Sequence, residues 1–336
     1  MAVAASLCAR GVDCARRPVA VGSVGRPRTV MVAILRPPLR CHFAPRNIAS
    51  MTASAGASGI LSQHEFFKIV EDALPDGSVD LGGRCVELLE PLAIGGSSKL
   101  RIANGTLAGA GHAVLQVSTN RDGRLDLSDV ALLHSASLDR TAKRSLGAAL
   151  FLRGKSNVTL TRCVVSSEAG FGVWVVQKAS ALLSNCQLPG SGRSSVVAFD
   201  QSRIECVNTS ILDAMPHAIC ARGQSRVVVH RSRIERAHSR AVYTYHSASL
   251  ELSDSLIAWT RSDEAAAIQV DALRPGDAAR LAVSATVFKH NAGGDLSVSG
   301  NVARCIGDEV SLVERRAESF SRASASVRDE HGELPP

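Results

Sequence analysis

Three side chains in the second half of the chain carry groups suited to catalysis: Asp200, Arg222 and His246. A carboxylate and an imidazole transfer protons near neutral pH, and a guanidinium holds a ligand carboxylate through paired hydrogen bonds. The nine cysteines include no C-x-x-C pair, and the sequence has no H-E-x-x-H motif. Zinc-enzyme and thioredoxin chemistry therefore lack their characteristic spacing. The three side chains are weak catalytic candidates unless the fold brings them together.

Aromatic residues form a second set of candidates, for binding rather than catalysis. They make up only 4% of the chain, yet five of them recur at related positions of a repeating pattern. These five are Phe151, Trp174, Phe199, Tyr243 and Tyr245. Aromatic rings stack on sugar faces or pack against an apolar patch of a partner protein. We predict that they form a ligand-binding face, with the alternative that a loop or a tail covers them.

An eight-residue pattern positions these residues along the chain. Its order is apolar, any, apolar, any, polar, small, any, apolar, and five consecutive copies start 23 residues apart. The copies occupy residues 100–107, 125–132, 158–165, 181–188, 204–211, 227–234, 250–257 and 281–288, with a degenerate copy at 296–303. Self-similarity at this period predicts a solenoid.

The residues within one repeat predict short β-strands. The first half of the pattern alternates apolar and outward residues, which is the period of a strand. A second, Val-rich strand follows at the same interval from Val173, Val196, Ile219 and Val242. A leucine-rich repeat is the rival interpretation, because its period is similar and "LLSNCQL" resembles its core. Its second half would carry a helix or half-turn where this chain alternates valines, so we predict an all-β parallel β-helix of about eight coils.

With this repeat, residues 65–306 resemble the right-handed parallel β-helix proteins, the pectin-lyase-like fold. The entry segment "SQHEFFKIVEDAL" agrees, because Ser62 and Glu65 form a capping-box sequence that predicts a helix over 62–75. We expect this helix to cap the solenoid, the β-helix to run over 76–306, and a C-terminal cap and disordered tail to occupy 307–336.

The resemblance implies that function lies on one outward sheet, where a polymer crosses successive coils. Hydrolases of this fold use grouped aspartates with a histidine, and lyases use a basic residue with calcium on clustered acids. Here Asp200 and Asp271 are alone in their coils, and Asp200 lies two coils, about 10 Å, from His246. We therefore expect a non-catalytic or catalytically decayed scaffold that binds a glycan or a protein, without a cofactor. The alternative is a lyase, hydrolase or epimerase of acidic polysaccharides, with calcium expected for a lyase.

Residues 23 apart stack above one another in such a fold, so the sequence also predicts columns. The outward columns of the second strand are Phe151, Trp174, Val197, Cys220, Tyr243 and Arg153, Val176, Phe199, Arg222, Tyr245. The polar edge beyond them is Gln177, Asp200, His246 and Asp271. Cys163 stacks over Cys186, which predicts neighbouring buried thiols or a disulfide.

Two insertions, residues 133–146 and 272–278, interrupt the interval. Long loops on a rigid scaffold often carry function. The first insertion offers Asp139, Arg140, Lys143 and Arg144, which suit a carboxylated polymer.

The charge distribution argues against a nucleic-acid partner. The net charge is +7, but residues 1–50 hold eight arginines and one acid, which leaves 30 basic (38 − 8) and 30 acidic (31 − 1) residues in the rest. The Arg-rich stretch 222–240 would spread around one whole coil instead of forming a patch. A formally neutral body gives no bulk attraction for phosphates.

Residues 1–50 are rich in Arg and Ala and poor in acids, which is typical of an organelle transit peptide. No apolar run reaches the length of a membrane span. We predict a monomer in a plastid or a mitochondrion. The alternatives are translation from Met51, which would leave the protein in the cytoplasm, and an unusual secretory leader.

Overall fold

The structure is a computed structural model, and it describes residues 59–119, 123–135 and 147–315. Most of these residues lie in short parallel strands. The predicted transit peptide and the end of the predicted C-terminal tail lie outside these residues. So do the insertion residues Asp139, Arg140, Lys143 and Arg144.

The described residues contain one α-helix, α1 (Gln63–Ala73), which follows a two-residue strand and precedes all the others. Ser62 is its N-cap: the Glu65 backbone N–H donates to the Ser62 hydroxyl at 3.3 Å, and the Ser62 N–H donates to the Glu65 carboxylate at 3.1 Å. These reciprocal bonds satisfy donors that the first helical turn leaves open. The helix residues Phe66 and Val70 are buried and belong to the solenoid core. The helix therefore covers apolar residues of the first turn.

The strands all pair in parallel with strands of the neighbouring turns. They are β1 Ile60–Leu61, β2 Ser78–Asp80, β3 Cys85–Leu88, β4 Leu92–Gly95, β5 Lys99–Gly109, β6 Ala113–Thr119, β7 Arg124–His134, β8 Ala148–Gly154, β9 Asn157–Thr161, β10 Val164–Ser167, β11 Phe171–Val175, β12 Ser180–Ser184, β13 Gln187–Leu188, β14 Val196–Ala198, β15 Arg203–Val207, β16 Ser210–Leu212, β17 Ile219–Gly223, β18 Arg226–His230, β19 Arg233–Glu235, β20 Val242–His246, β21 Ser249–Ser253, β22 Leu256–Ala258, β23 Ile268–Ala272, β24 Ala279–Ser284, β25 Val287–Lys289, β26 Leu296–Gly300 and β27 Val302–Ile306.

The strands form two sheets that wrap one core. Sheet A has 18 strands and contains the first and second strands of each turn. The two sets of strands join into one sheet because β5 and β7 each run continuously through the first-strand and the second-strand position. Sheet B has one strand per turn, in the order β4-β6-β8-β11-β14-β17-β20-β23-β26. Nine strands in sheet B mean nine turns, and β27 begins a tenth. The parallel solenoid is confirmed, and the predicted eight coils fall short because β2–β4 and β27 do not follow the eight-residue pattern.

The inward residues of sheet B stack into the core as the 23-residue interval predicts. Val173 pairs with Leu150 on one side and with Val196 on the other, and the column continues through Ile219 and Val242. All five side chains are buried. Burial of successive Val, Ile and Leu side chains is the main favourable term that holds one turn on the next.

The polar position of the pattern is a left-handed turn between the two strands of sheet A. Residues at this position have φ between 45° and 56°. They are Asn104, Asp129, Arg162, Asn185, Asn208, Arg231, Asp254 and Ala285. Asn and Asp tolerate this region best, and the Asn208 amide donates to the Asn185 side-chain oxygen at 2.5 Å. Asp254 lies 3.3 Å from His230.

Two further predictions are settled by the strand pairing. Cys163 and Cys186 are buried free thiols in neighbouring turns, so the disulfide alternative is wrong. The degenerate copy at 296–303 is also wrong, since Leu296–Gly300 is β26 of sheet B and β27 is the strand that stacks on β24. Alternation alone does not say which sheet a strand joins.

Candidate functional site

The outer face of sheet B gathers most of the predicted site residues into two columns. In the first, Phe151, Trp174, Val197, Cys220, Tyr243 and Gln269 pair in sequence. In the second, Arg222 pairs with Tyr245 and Tyr245 pairs with Asp271. Neighbouring strands of a sheet are about 4.8 Å apart, so these side chains form a continuous surface along several turns.

The N-terminal part of this face is packed rather than open. Phe151 and Trp174 are each only 8% exposed, and their ring centroids are 4.7 Å apart. Phe171 lies 5.3 Å from Trp174, and His112 lies 5.2 Å from Phe151. The two rings that were expected to contact a ligand therefore contribute mainly to packing.

The C-terminal part of the face holds an arginine between two aromatic rings. The Arg222 guanidinium lies 6.0 Å from the Phe199 ring and 5.9 Å from the Tyr245 ring. Tyr245 also stacks on Tyr243 at 5.0 Å with an interplanar angle of 22°. Both tyrosines and Phe199 are partly exposed, and Arg222 is exposed. We call Phe199, Arg222 and Tyr245 the Arg222 sandwich.

A hydrogen-bonded network adjoins the Arg222 sandwich. The Arg240 guanidinium lies 4.7 Å from the Tyr243 ring, and its Nε donates to Gln269 Oε1 at 2.5 Å. The Gln269 amide donates to Asp271 Oδ2 at 2.7 Å, and the Tyr243 hydroxyl hydrogen-bonds to the Asp271 carboxylate. We call Arg240, Tyr243, Gln269 and Asp271 the Asp271 network.

Burial shifts the ionisation of this network. It raises the pKa of Asp271 above the usual range of a carboxyl, although hydrogen bonds from Gln269 and Tyr243 oppose the shift. Burial also raises the pKa of Tyr243 and lowers the pKa of Arg240. A carboxyl with a raised pKa beside a phenol on an outer face is the kind of group that transfers protons.

The predicted polar edge is a column of left-handed turn residues, where φ is 63° at Gln177, 64° at Asp200 and 62° at His246. The Asp200 carboxylate accepts the Gln177 backbone N–H at 2.9 Å, which assigns it a role in the turn. Burial lowers the pKa of His246, whose ring lies 5.0 Å from Tyr245. Gly223 occupies the turn between Asp200 and His246, so these two side chains are not brought together.

Asp271 belongs to the outward column and not to this edge. Val242 pairs with Ile268, an interval of 26 residues (268 − 242), so counting by 23 misplaces everything in β23. This shift also hid Gln269, which sequence reasoning missed together with Arg240. The alternation of Gln269 and Asp271 within "AIQVDA" is the signal that would have placed these two residues in the outward columns.

The Arg-rich coil is spread around the solenoid, and acids of other turns pair with two of its arginines. Arg236 lies 2.7 Å from Asp213, and Arg226 lies 3.1 Å from Glu251. In the described ranges, no three His, Cys, Asp or Glu side chains are grouped so as to hold a metal ion. No helix in the same ranges is long and apolar enough to cross a bilayer.

Comparison with known proteins bears on the fold. The family described as the right handed beta helix region matches residues 94–303. The mannuronan C-5 epimerase AlgE4 A-module of Azotobacter vinelandii has a TM-score of 0.42 at 10% identity, covering 76% of this chain and 96% of its own. The Agl-KA catalytic domain has a TM-score of 0.36 at 10% identity, covering 79% of this chain and 69% of its own. No curated protein matches the sequence.

Proposed function

Because the chain belongs to the right-handed β-helix family, we propose that it is a scaffold that binds a carboxylated polysaccharide across the outer face of sheet B. The observation that carries the proposal is the Arg222 sandwich. Phe199 and Tyr245 hold an exposed guanidinium in place on the face where successive turns form a continuous surface.

The charge of Arg222 is available to a ligand. No ion pair joins Arg222 to an acidic side chain in the part of the chain that the structure describes. A guanidinium forms two parallel hydrogen bonds with a carboxylate, and the two rings limit its movement before the ligand arrives. The exposed edges of Tyr243 and Tyr245 supply apolar contact for a sugar ring. Together these features favour a polymer of acidic sugars over a neutral one.

A second candidate function is acid–base catalysis on the bound sugar, favoured by the raised pKa of Asp271. Arg222 would neutralise the sugar carboxylate, which makes the adjacent C–H bond more acidic. A base of the Asp271 network would then remove that proton, as an epimerase or a lyase requires. Asp271 is one turn from Tyr245 and two turns from Arg222, within reach of one bound polymer.

The test uses the full chain with polygalacturonate, polymannuronate and a neutral glucan, with and without calcium. We expect the acidic polymers to bind and the neutral glucan not to bind. Arg222→Gln should weaken binding of the acidic polymers, whereas Arg153→Gln, which changes an exposed arginine of the same column, should leave it unchanged. Equal binding of the neutral glucan, or wild-type binding by Arg222→Gln, would contradict the proposal.

The same incubations decide between binding and catalysis. New reducing ends, unsaturated products and changes at C5 of the sugar are measured together. Turnover that disappears in Asp271→Asn while binding persists would support the second candidate. Binding without any turnover would support the scaffold alone.

A further inference from the structure

A row of basic and polar side chains runs along the outer face of sheet A, away from the Arg222 sandwich. One residue from each of eight consecutive turns contributes to it, and each pairs with the next in the strand register. These residues, the basic stripe, are Lys99, Arg124, Asn157, Ser180, Arg203, Arg226, Ser249 and Arg280. The five cations are all exposed.

Two adjoining grooves follow the first half of the basic stripe. One has a volume of about 500 Å³ and is lined by Asn157, Ser180 and Arg203 among others. The other has a volume of about 390 Å³, and the two share Lys99 and Arg124. These two surface depressions therefore lie on sheet A. The residues that line them come from successive turns, which suits a chain-like ligand.

The neighbouring column balances only part of the charge. Arg124 lies 2.9 Å from Asp126, Arg203 lies 3.3 Å from Glu205, and Arg226 lies 3.1 Å from Glu251. Lys99 and Arg280 have no acidic partner among the residues that the structure describes. Lys155 and Lys178, two residues before Asn157 and Ser180 of the stripe, are also exposed. Exposed pairs of this kind are weak, so a ligand anion competes with the carboxylates for the arginines.

We propose that the basic stripe binds a linear acidic polysaccharide that runs parallel to the solenoid axis. Its carboxylate or sulfate groups meet two pairs of cations on adjacent turns, Lys99 with Arg124 and Arg203 with Arg226, about 4.8 Å apart within each pair. Asn157 and Ser180 hydrogen-bond to the polymer on the turns between the two pairs. This surface is additional to the one on sheet B and does not depend on Arg222.

A nucleic acid fits this surface less well. Single-stranded nucleic acids bind through aromatic rings on which bases stack, as well as through cations. The basic stripe contains no aromatic residue, and the column beside it presents Thr159, Leu182 and Val228. Cations on five of the eight strands, without groups for stacking, match an acidic polysaccharide better than a single-stranded nucleic acid.

The test compares two full-length variants with the same change in charge. The stripe variant carries Lys99→Gln, Arg124→Gln, Arg203→Gln and Arg280→Gln. The control variant carries Arg162→Gln, Arg231→Gln, Arg274→Gln and Lys289→Gln, which are exposed and lie off the stripe. The probes are polygalacturonate, dextran sulfate, neutral dextran and a single-stranded oligonucleotide, each titrated at several salt concentrations.

We expect the stripe variant to lose about tenfold or more in affinity for polygalacturonate or dextran sulfate, with a flatter salt dependence, while the control variant binds as the wild type does. The probe that responds identifies the anion as carboxylate or sulfate. Equal losses in both variants would overturn the proposal. Tighter binding of the oligonucleotide than of either polysaccharide would overturn the assignment of the ligand class.

Arg222→Gln separates this proposal from the one on sheet B. If Arg222→Gln weakens polygalacturonate binding and the stripe variant does not weaken any probe, the stripe proposal fails and the sheet B proposal stands. If the stripe variant does not fold, Lys99→Gln with Arg280→Gln replaces it, compared with Arg231→Gln and Lys289→Gln. The two stripe residues in that pair have no ion pair to lose, so the fold should tolerate the change.

Discussion

Replacement of Arg222 by lysine isolates the geometry of the guanidinium from its charge. In the Arg222 sandwich, the guanidinium lies 6.0 Å from the Phe199 ring and 5.9 Å from the Tyr245 ring. Lysine keeps the positive charge but loses the planar fork that bonds both oxygens of a carboxylate, and its ammonium is more strongly hydrated. If the sandwich binds sugar carboxylates, Arg222→Lys should therefore weaken binding although the net charge is unchanged.

The size of the effect follows from these contacts. A hydrogen bond to a charged group contributes about 1.5–3 kcal/mol, and lysine retains about half of a two-bond interaction. Each exposed cation–π contact that positions the arginine contributes about 0.5–1 kcal/mol. Losing one of the two hydrogen bonds gives an expected loss of about 1.5–3 kcal/mol in binding free energy, which corresponds to roughly 10- to 150-fold in Kd.

Isothermal titration calorimetry with an oligogalacturonate at fixed salt measures this change. Arg222→Gln should lose more affinity than Arg222→Lys, and Arg153→Lys, in the same column, should lose none. The reasoning is refuted if Arg222→Lys binds as tightly as the wild type. It is also refuted if Arg153→Lys is weakened to the same degree, because the effect would then be general to this face.

Three further predictions concern the network, the turns and the thiols. Burial raises the pKa of Asp271, so its proton is held more tightly in the fold than in the unfolded chain. This group therefore stabilises the fold below its ordinary pKa, and the contribution is lost as the pH rises through the raised value. The Tm of Asp271→Asn relative to wild type should increase from acidic to neutral pH, and a constant difference would contradict this sign. Ala285 has φ of 45°, so Ala285→Asn should raise the free energy of unfolding by about 1 kcal/mol in urea, whereas Ala282→Asn in the extended strand should not. Cys206 is buried with its pKa raised to about 12, and Cys305 is exposed. Iodoacetamide should label Cys305 and spare Cys206 in the native protein, as peptide mass spectrometry would show; equal rates would argue against the burial.

The columns of sheet B were predictable because an uninterrupted turn has a constant length. Val173, Val196, Ile219 and Val242 follow one another at 23 residues and lie in one buried column. The polar position of the pattern was also visible in the sequence, and the structure places a left-handed turn there. Backbone conformation and side-chain period leave a trace at every turn, and repetition makes that trace readable.

What lies over a column was not predictable from spacing. Phe151 and Trp174 belong to the expected column, but Phe171 and His112 pack against them, and no column predicted from the sequence contained either residue. Asp271 was misplaced by the three extra residues before β23. In the Arg-rich coil, Arg236 and Arg226 are paired with Asp213 and Glu251 of neighbouring turns. The sequence alone does not show that these acids lie beside the arginines.

Stacking by whole turns has a consequence for how such a surface changes in size. Each turn contacts only the turns beside it, so a duplicated 23-residue segment would insert between two neighbours without disturbing the rest. Every such duplication would lengthen both outer faces by about 4.8 Å and add one side chain to each column. The length of either outer face is therefore set in discrete steps, one turn at a time, by the number of turns.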